Sequence, residues 1–446
     1  MNRRLIIELP TSLSASIIGE WLSVKDLVRL DSAHCQAFVR DTFLQLTRSP
    51  ELSVKSWVQD HNRALVTWAL MREVYVEKLS VETKGNLDLY NAYLQRFGNR
   101  VSVLWLNGIK LASLAHSVAT CRNLLVLRVH IGKLSASLRD VFMFCKRLRE
   151  FRFRSIFHYF NADPSDPPLT SAHLESIACT SLTYLELDYC DVNLVAAFLR
   201  MAVAVEAVVL SPKDEHLDQV YSSLSPTTNT LSLRNITAKK NFANVATRCL
   251  SIANMTFPQC YVTDSAITTF GKFTNLRALD LTYAIFETMD SLSVLASSCG
   301  DKLTELLLYA CHPTLPLVTV QKVLSLFTKL KSFSFCFEDD NTAVWDMSSC
   351  SRLTKLSLSY YGNSDAELVS QLTEHCYVNL RELNLTAVLS EVVNDELDVL
   401  VSTCTNLCVL HLRNNCNNQN KAKYWCTSED EERWQNLRPG LTVCGG

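Results

Sequence analysis

One spacing of three apolar residues recurs along most of this chain. In the reference copy, Leu182, Leu185 and Leu187 stand at positions i, i+3 and i+5. The spacing fits neither a helix nor a plain strand. It fits a turn followed by a short strand, because all three side chains then point to one side. A unit of this size cannot bury its own apolar side, so it requires neighbours of the same kind.

The sequence contains fourteen near-copies of this spacing, one of them imperfect. Their first positions are 23 to 27 residues apart, with a single step of 34 residues. The copies begin at Val76, Val101, Leu124, Leu148, Leu182, Val205, Thr228, Ile252, Leu276, Leu303, Leu330, Leu353, Leu380 and Leu407. This period predicts strand-plus-helix units that stack around one continuous apolar core.

Most of the cysteines recur at two fixed positions of the repeat. Eight lie three or four residues before the first apolar position, namely Cys121, Cys145, Cys179, Cys249, Cys299, Cys350, Cys376 and Cys404. Three more lie eight residues after it, namely Cys190, Cys260 and Cys311. The unit, C-x-x-L-x-x-L-x-L-x-x-C, resembles the cysteine-containing, ribonuclease-inhibitor-like class of leucine-rich repeats. We interpret these cysteines as small buried hydrophobic residues rather than metal ligands or redox groups.

This resemblance implies an α/β leucine-rich-repeat solenoid, shaped as a horseshoe, with about 14 repeats over residues 76–416. Strands would line the concave face, and helices, for example at 169–177 and 396–401, would line the outer face. Residues 49–75 are predicted to form a linker helix. Residues 417–446 are predicted to form a C-terminal cap with a loose tail.

Charge and cysteine usage narrow the function. The 43 basic and 45 acidic residues give no polyelectrolyte character, which argues against a nucleic-acid or membrane-surface partner. The 17 cysteines are an odd number, and the first residues do not follow the pattern of a signal peptide. We therefore expect reduced thiols and an intracellular location, either cytoplasmic or nuclear.

Residues 1–48 differ from the repeats and form a predicted helical head. Its apolar residues recur at helical spacing, and Asp26 is placed to cap the second of three short helices. One interpretation is that these helices do no more than cover the open end of the first repeat, which every solenoid must cover.

The head also contains an ordered set of apolar, acidic, cysteine and aromatic residues: Leu9, Pro10, Leu13, Ile17, Ile18, Leu22, Asp26, Leu27, Leu30, Cys35 and Phe38. In this order they fill the pattern of an F-box, which the head therefore resembles. The chain departs from the pattern by one extra residue before Leu22, by another before Cys35, and by Phe38 where the family usually has Trp. F-box helices dock the adaptor of a cullin-type ligase. The resemblance implies an adaptor-facing surface of Leu9, Pro10, Leu13, Ile17, Leu22, Leu27 and Leu30.

The sequence lacks the common catalytic signatures. It contains no phosphate-binding, dinucleotide-binding, nucleophile-elbow or zinc-protease motif, and no C-x-x-C pair. We therefore expect no cofactor, no metal and no enzymatic activity. A GTPase-activating role would need an exposed catalytic arginine, for which Arg152 is only a nominal candidate.

The remaining candidate site is a surface. Residues that flank the inward positions of each strand face the concave side. The expected partner-binding residues are Trp105, Arg128, His130, Arg152, Arg154, Tyr184, Glu186, Asp188 and Tyr309. Arginine, tryptophan and tyrosine are also the residue types that dominate interface energetics.

The 34-residue step contains an insertion at residues 155–168 that is rich in Pro, Asp and aromatic residues. Two interpretations stay open: a loop that folds back on its own repeat, and a lip over the concave face.

Together these features predict a non-catalytic, monomeric, protein-binding solenoid. The F-box resemblance implies the substrate-recognition subunit of a cullin-type (SCF) ubiquitin ligase, bound to the adaptor through its head and to a target protein through its concave face. The alternative is a repeat scaffold without a ligase role, whose head acts only as a cap.

Overall fold

The structure is a computed structural model. It describes residues 10–33, 37–49, 52–58, 63–82, 86–109, 111–131, 134–155, 167–212, 217–238, 242–312, 315, 317–337, 350, 352–360, 369–370, 372–373, 379–387, 394–414 and 428–445. The chain forms two compact units, Met1–Thr227 and Thr228–Gly446.

Within its described residues, the first unit contains seven strands that pair in parallel and in sequence order. The strands are β1 (Ser53–Val58), β2 (Tyr75–Glu82), β3 (Val103–Asn107), β4 (Val126–Ile131), β5 (Glu150–Ser155), β6 (Tyr184–Cys190) and β7 (Ala207–Pro212). The helices are α1 (Thr11–Trp21), α2 (Val24–Ala33), α3 (Ala37–Thr47), α4 (Arg63–Arg72), α5 (Leu87–Phe97), α6 (Ala115–Ala119), α7 (Leu138–Phe144), α8 (Ser171–Leu174), α9 (Val192–Met201) and α10 (Asp218–Ser223).

The second unit contains a main parallel sheet and a small one. The main sheet has β8 (Thr230–Leu233), β10 (Asn254–Thr256), β12 (Ala278–Asp280), β14 (Glu305–Leu308), β15 (Ser332–Phe337), β16 (Lys355–Tyr360), β17 (Glu382–Ala387), β18 (Val409–Asn414) and β19 (Thr442–Gly445). The small sheet has β9 (Thr237–Ala238), β11 (Tyr261–Val262) and β13 (Ile285–Phe286). The helices are α11 (Phe242–Arg248), α12 (Asp264–Phe270), α13 (Ser291–Cys299), α14 (Leu317–Leu324), α15 (Asn394–Thr403) and α16 (Ser428–Leu437).

The apolar spine of each unit is built from the recurring triplet. Leu185, Leu279 and Leu383 are each 0% exposed, and they lie on neighbouring parallel strands with the equivalent residues of the adjacent repeats. The predicted α/β leucine-rich-repeat solenoid is therefore confirmed within each unit. The helix expected at 169–177 is shorter, Ser171–Leu174, and the helix expected at 396–401 is longer, Asn394–Thr403.

A left-handed residue recurs at one fixed repeat position, near the end of the strand or two to three residues beyond it. Five non-glycine residues with φ between 50° and 57° each lie seven residues after the first triplet position: Tyr189, Asn235, Gln259, Tyr283 and Ala310. This turn directs the next side chain inward, which buries the cysteines of the second fixed place. The thiols of Cys260 and Cys311 lie 3.1 and 3.2 Å from carbonyl oxygens of Leu233 and Leu281 in the preceding repeats.

The cysteines of the first fixed place also bond backwards along the solenoid. The thiol of Cys145 lies 3.6 Å from the carbonyl oxygen of Val118, and that of Cys179 lies 3.8 Å from that of Phe142. Of the predicted set, Cys376 lies outside the described residues, and the others are buried. A small, weak S–H donor suits these corners, because it fills apolar space and still reaches a carbonyl group.

Residues 49–75, predicted as a linker helix, hold a strand as well as a helix. Ser53 and Val54 of β1 pair with Tyr75 and Val76 of β2, and the register then shifts before Trp57. The shift breaks the triplet spacing, which is why the sequence pattern does not reveal this strand. At the other end, β19 pairs with β18, and Trp434 of α16 is fully buried.

Candidate interaction surfaces

The first helix of the head presents an apolar stripe to solvent. Pro10, Leu13, Ile17 and Trp21 recur three or four residues apart, so they share one face of α1. Leu13 is 48% exposed and Trp21 is 82% exposed. Pro10 is also exposed, and Ile17 is half-buried. The adaptor surface predicted from the sequence omitted Trp21, although Trp21 lies four residues after Ile17 and eight after Leu13 and therefore shares their helix face.

Other members of the predicted adaptor surface differ in exposure. Leu22 and Leu30 are half-buried, and Leu9 lies outside the described residues. Leu27 is 0% exposed, so it supports the head from inside and is not available to a partner, which corrects its assignment. The cause is the packing of α2, whose apolar side is used against α4 and β1.

The opposite face of α1 packs on β1. Ala15, Ile18 and Gly19 are buried there. A Cβ atom added to Gly19 would stand 2.6 Å from the carbonyl oxygen of Ser53, so helix and strand approach too closely for any other residue. The two interpretations of the head are thus geometrically compatible, because one face covers the start of the sheet while the other stays open.

A buried carboxylate ties the head to the first repeat helix. The Oδ2 atom of Asp31 in α2 accepts hydrogen bonds from Trp68 Nε1 at 2.8 Å and Arg72 Nε at 3.0 Å, both in α4. Arg40 lies 3.8 Å from its other oxygen. Burial by itself would raise the pKa of Asp31, but the hydrogen bonds and the charges of Arg72 and Arg40 hold it below its ordinary value.

The start of α2 differs from the expectation in one respect. Asp26 was predicted to cap this helix, whereas the residue at the cap is Ser23, and Asp26 stands three positions later. The Ser23 hydroxyl accepts from the Asp26 amide at 3.2 Å, and the Asp26 carboxylate accepts from the Ser23 amide at 3.1 Å. This reciprocal pair is a capping box, which a Ser-x-x-Asp sequence can form.

On the sheet of the first unit, the predicted partner-binding residues lie in rows across the strands. Trp105, Arg128, Arg152 and Glu186 occupy one register row of β3, β4, β5 and β6. His130 and Arg154 pair in the next row. The register therefore brings eight of the nine predicted residues onto the same four strands.

Ion pairs link these rows into one network. Glu150 lies 3.3 Å from Arg128 and 2.6 Å from Arg152. Glu186 lies 3.6 Å from Arg152 and 3.0 Å from Arg154, and it accepts from the Tyr184 hydroxyl at 3.3 Å. Glu150 was not among the predicted site residues, although its position beside the inward Phe151 marks it as outward-facing.

Burial is uneven within the network. The side chain of Glu186 is only 3% exposed, whereas those of Arg128 and Arg154 are 36% and 48% exposed. The Arg152 guanidinium lies 4.5 Å from the centre of the Tyr184 ring. The two glutamates therefore act as inner anchors that hold three guanidinium groups in fixed orientations, with donor groups left toward solvent.

His130 stands at the border of this network. Its ring lies 5.2 Å from the Trp105 ring in an edge-to-face arrangement. Burial lowers the pKa of His130, and the charges of Arg154 and Arg128 lower it further, against an opposing effect of Glu186. The imidazole is therefore neutral at physiological pH and contributes an aromatic surface.

The other two predicted residues are Asp188 and Tyr309. Asp188 is half-buried on β6, opposite Ser211. Tyr309 belongs to the second unit, where its ring lies 5.7 Å from that of Tyr283. We therefore separate Tyr309 from the first-unit surface.

The described end of the insertion pairs with the preceding repeat. Pro168 bridges Ser135, and the Pro167 carbonyl accepts from the Ala136 amide at 2.9 Å. Residues 156–166 lie outside the described residues, so both interpretations of the insertion remain predictions.

Metal ligands, thiols and one arginine are the candidate reactive groups among the described residues. No group of three or more potential metal ligands lies together among them, and all of their cysteines are free. Burial raises the pKa of Cys121, Cys145 and Cys311 to about 12, so these thiols are protonated and not nucleophilic. Arg152, the nominal catalytic arginine, directs its donors at Glu150 and Glu186.

Within the described part of the chain, no helix has the length and apolar character needed to cross a lipid bilayer.

Comparison with known proteins shows likeness to solved structures alone. No protein-family model matches the sequence, and no curated protein matches it. An internalin of Listeria monocytogenes is 13% identical with a TM-score of 0.29, covering 79% of this chain and 81% of its own. A leucine-rich-repeat protein of Leptospira interrogans is 15% identical with a TM-score of 0.38, covering 84% of this chain and 97% of its own. TLR13 in its complex with ssRNA13 is 17% identical with a TM-score of 0.43, covering 77% of this chain and 49% of its own.

Proposed function

We propose that this chain is a non-catalytic, protein-binding solenoid that recruits target proteins to a cullin-type ubiquitin ligase. The observation that carries the proposal is the apolar stripe of Leu13, Ile17 and Trp21 on α1. A tryptophan that is 82% exposed, beside a leucine that is 48% exposed, is a costly arrangement in water unless a partner covers it. The F-box resemblance implies that this partner is the ligase adaptor.

The attachment of the head supports the same proposal. Asp31, Trp68 and Arg72 fix the head to the first repeat helix, and Gly19 seats α1 directly on β1. An adaptor held by α1 would therefore stand in a fixed relation to the sheet of the first unit. A recruiting subunit works by raising the effective concentration of its target, which a rigid connection favours.

The target is expected on the sheet face of the first unit. Arg128, Arg152 and Arg154, pre-oriented by Glu150 and Glu186, lie beside Trp105 and Tyr184. Fixed guanidinium groups next to aromatic rings are typical of interface hot spots, because little side-chain entropy is lost on binding. Such a role operates inside the cell, in keeping with the free thiols.

A pull-down of the full chain by the purified ligase adaptor tests the proposal. We expect retention of the wild-type chain and its loss in a Leu13→Asp, Trp21→Asp variant, because two charges would then enter the apolar contact. The matched control is Ser12→Asp with Ser16→Asp, which adds the same charge to exposed positions of the same helix. This control should be retained like the wild type.

The alternative function is a repeat scaffold whose head serves only as a cap. The observation that favours this alternative is the packing of Ala15, Ile18 and Gly19 against β1, because covering the start of the sheet is by itself a sufficient role for the head. Equal retention of the wild type and the Leu13→Asp, Trp21→Asp variant, or no retention of either, would reject the ligase function and leave the scaffold.

A further inference from the structure

The second unit carries a charged surface of its own, at the edge of its main sheet where the strands begin. In each repeat, the residues just before and just after the first triplet position flank a buried side chain and point outward. Of the five consecutive repeats that start at residues 276, 303, 330, 353 and 380, all but the second hold exposed cations at these positions: Arg277, Lys329, Lys331, Arg352 and Arg381. We call these five residues the basic edge.

The backbone holds the basic edge at a fixed spacing. A ladder of amide-to-carbonyl hydrogen bonds, each 2.8 Å long, runs from Thr304 to Arg277, from Lys331 to Thr304, from Thr354 to Lys331 and from Arg381 to Thr354. Neighbouring strands of a sheet lie about 4.8 Å apart, so the four steps from Arg277 to Arg381 span about 19 Å. The row is rigid because it belongs to the sheet.

The cations of the basic edge are not neutralised within the described residues. None of the five has a carboxylate within ion-pair distance there, in contrast to Lys355, which lies 2.6 Å from Glu382. Lys302 lies in the same edge and is half-buried, with its ammonium group donating to the Gly271 carbonyl. The exposed acids beside the row are Asp301 and Glu305.

This segregation is not visible in the composition, since the whole chain carries a formal net charge of -2. Like charges in a row repel one another, and a partner of opposite charge relieves that repulsion. The arrangement therefore indicates an anionic partner rather than a generic solvated edge.

We propose that the basic edge binds an acidic α-helix of a partner protein. Carboxylates three or four residues apart on a helix are about 5–6 Å apart, which matches the separation of neighbouring strands. A row of about 19 Å corresponds to about 13 residues of helix at 1.5 Å per residue. The intervening Asn275, Thr304 and Thr354 are neutral, and their side chains donate to backbone carbonyls of the preceding repeat.

Nucleic acid and membrane fit this edge less well. No aromatic side chain occupies the flanking positions of these five repeats, so bases would find no stacking surface there. No large apolar side chain stands at those positions either, so a bilayer would find no anchor. Asp301 and Glu305 would also repel a continuous phosphate backbone, whereas a helix can place its carboxylates between them.

The test uses the full chain and a fluorescent 14-residue alanine-based peptide with glutamates at i, i+4, i+7 and i+11. Fluorescence anisotropy at low salt should show binding that weakens as salt rises, because the contact is between exposed charges. The same peptide with glutamine in place of glutamate should not bind. Lys329→Glu with Lys331→Glu should raise the Kd about tenfold or more, because it removes two attractions and adds two repulsions.

The control is Arg248→Glu with Lys322→Glu, which makes the same charge change at two exposed helix positions of the second unit. At a salt concentration that screens the change in net charge, this variant should bind the peptide with a Kd within about twofold of the wild-type Kd. Circular dichroism and thermal unfolding of both variants should match the wild type, since none of the four side chains is buried.

Three results would overturn the proposal. The first is equal peptide binding by the Lys329→Glu, Lys331→Glu variant and the wild type. The second is tighter binding of duplex DNA or of phosphatidylserine vesicles than of the peptide, lost in the same variant. The third is self-association of the free chain in sedimentation that this variant abolishes, which would assign the edge to a second copy, whose α16 carries Glu429 and Glu432 on its surface.

Discussion

The Nε atom of Arg154 lies 3.0 Å from Oε1 of Glu186, across the boundary between two neighbouring strands of the first unit. The glutamate is almost fully buried beneath its donors, and the arginine is half exposed. This pair therefore joins the interior of the repeat array to its surface. Changing its buried member disturbs both stability and the candidate target face.

The substitution Glu186→Gln should lower the free energy of unfolding by about 1–3 kcal/mol, because Arg152 and Arg154 lose their charged acceptor while remaining partly buried. Urea denaturation measures the change. The comparison is Glu382→Gln, which breaks the exposed pair with Lys355 and should cost less than about 1 kcal/mol. Equal losses in the two variants would show that Glu186 is no more than a surface partner.

His130 should make stability depend on pH in a defined direction. Its folded-state pKa is depressed by burial, by Arg154 and by Arg128, so the unfolded chain binds the proton more readily. Stability contributed by neutral His130 is therefore complete above the unfolded value of about 6.5 and falls as the pH drops from there to the folded pKa. Urea midpoints of the wild type and His130→Gln at pH 7.5 and 5.5 measure this.

The His130→Gln variant should lose less stability between these two pH values than the wild type does. An NMR titration of His130 in the folded chain supplies the direct check. A folded-state pKa at or above 6.5 would contradict the prediction.

Asp31→Asn should loosen the head from the first repeat helix. The change removes the charge that Arg72 and Arg40 approach, while an amide oxygen remains for Trp68, so we expect a loss of about 1–3 kcal/mol. Because the folded pKa of Asp31 is lowered, its contribution is present above the unfolded value of about 3.9 and is lost as the pH falls through the folded pKa.

Limited proteolysis within residues 1–50 measures this loosening. Asp26→Asn is the comparison, since that residue lies in the same helix but pairs only locally, with its own cap Ser23 and with the exposed Arg29. Cleavage of Asp31→Asn at the wild-type rate would refute a clamping role.

Gly19→Ala should destabilise the chain although alanine favours helices. The helix gains about 1 kcal/mol from lost backbone entropy. That gain is outweighed, because the new Cβ would stand 2.6 Å from the rigid backbone oxygen of Ser53 and force α1 away from β1. We expect a net loss of about 1–3 kcal/mol. Ser16→Ala, at an exposed position of the same helix, should change the unfolding midpoint little in the same experiment.

The buried repeat cysteines should resist alkylation in the folded chain. Burial raises the pKa of Cys179, Cys249, Cys260 and Cys299 to about 11, so almost no thiolate is present at pH 8. Iodoacetamide followed by peptide mass spectrometry should modify exposed Cys408 before these four buried cysteines. Rapid labelling of Cys260 before Cys408 would show that the repeat opens locally, contrary to this expectation.

The repeat register was predictable because it rests on periodicity alone. Leu185, Leu279 and Leu383 recur at one spacing, and a short strand with that spacing has only one way to hide its apolar side. The strand β1 escaped prediction because the register shift between Val54 and Trp57 breaks the same spacing. The burial of Leu27 was not predictable either, because the helical spacing of apolar residues does not determine which apolar face of the head packs against the array.

The candidate surfaces, too, were predictable from the sequence only in part. Alternation along a strand was enough to place Arg128, Arg152 and Arg154 on one face. Their pairing with Glu150 and Glu186 depends on which strands are neighbours and on side-chain conformation, which periodicity does not encode. The basic edge shows the converse, because its cations stand at two fixed repeat positions that can be found in the sequence but that the net charge of the whole chain conceals.

The amino-acid order by itself determined the repeating unit, the inward residues and the corners that the cysteines occupy, because these follow from local spacing and from the need to exclude water. Only the tertiary structure decided that α1 turns Leu13 and Trp21 outward while Gly19 lies against Ser53. It alone also showed that Glu186 is buried under two arginines. Those outcomes depend on contacts between residues far apart in the chain, and their energies exist only once the repeats have stacked.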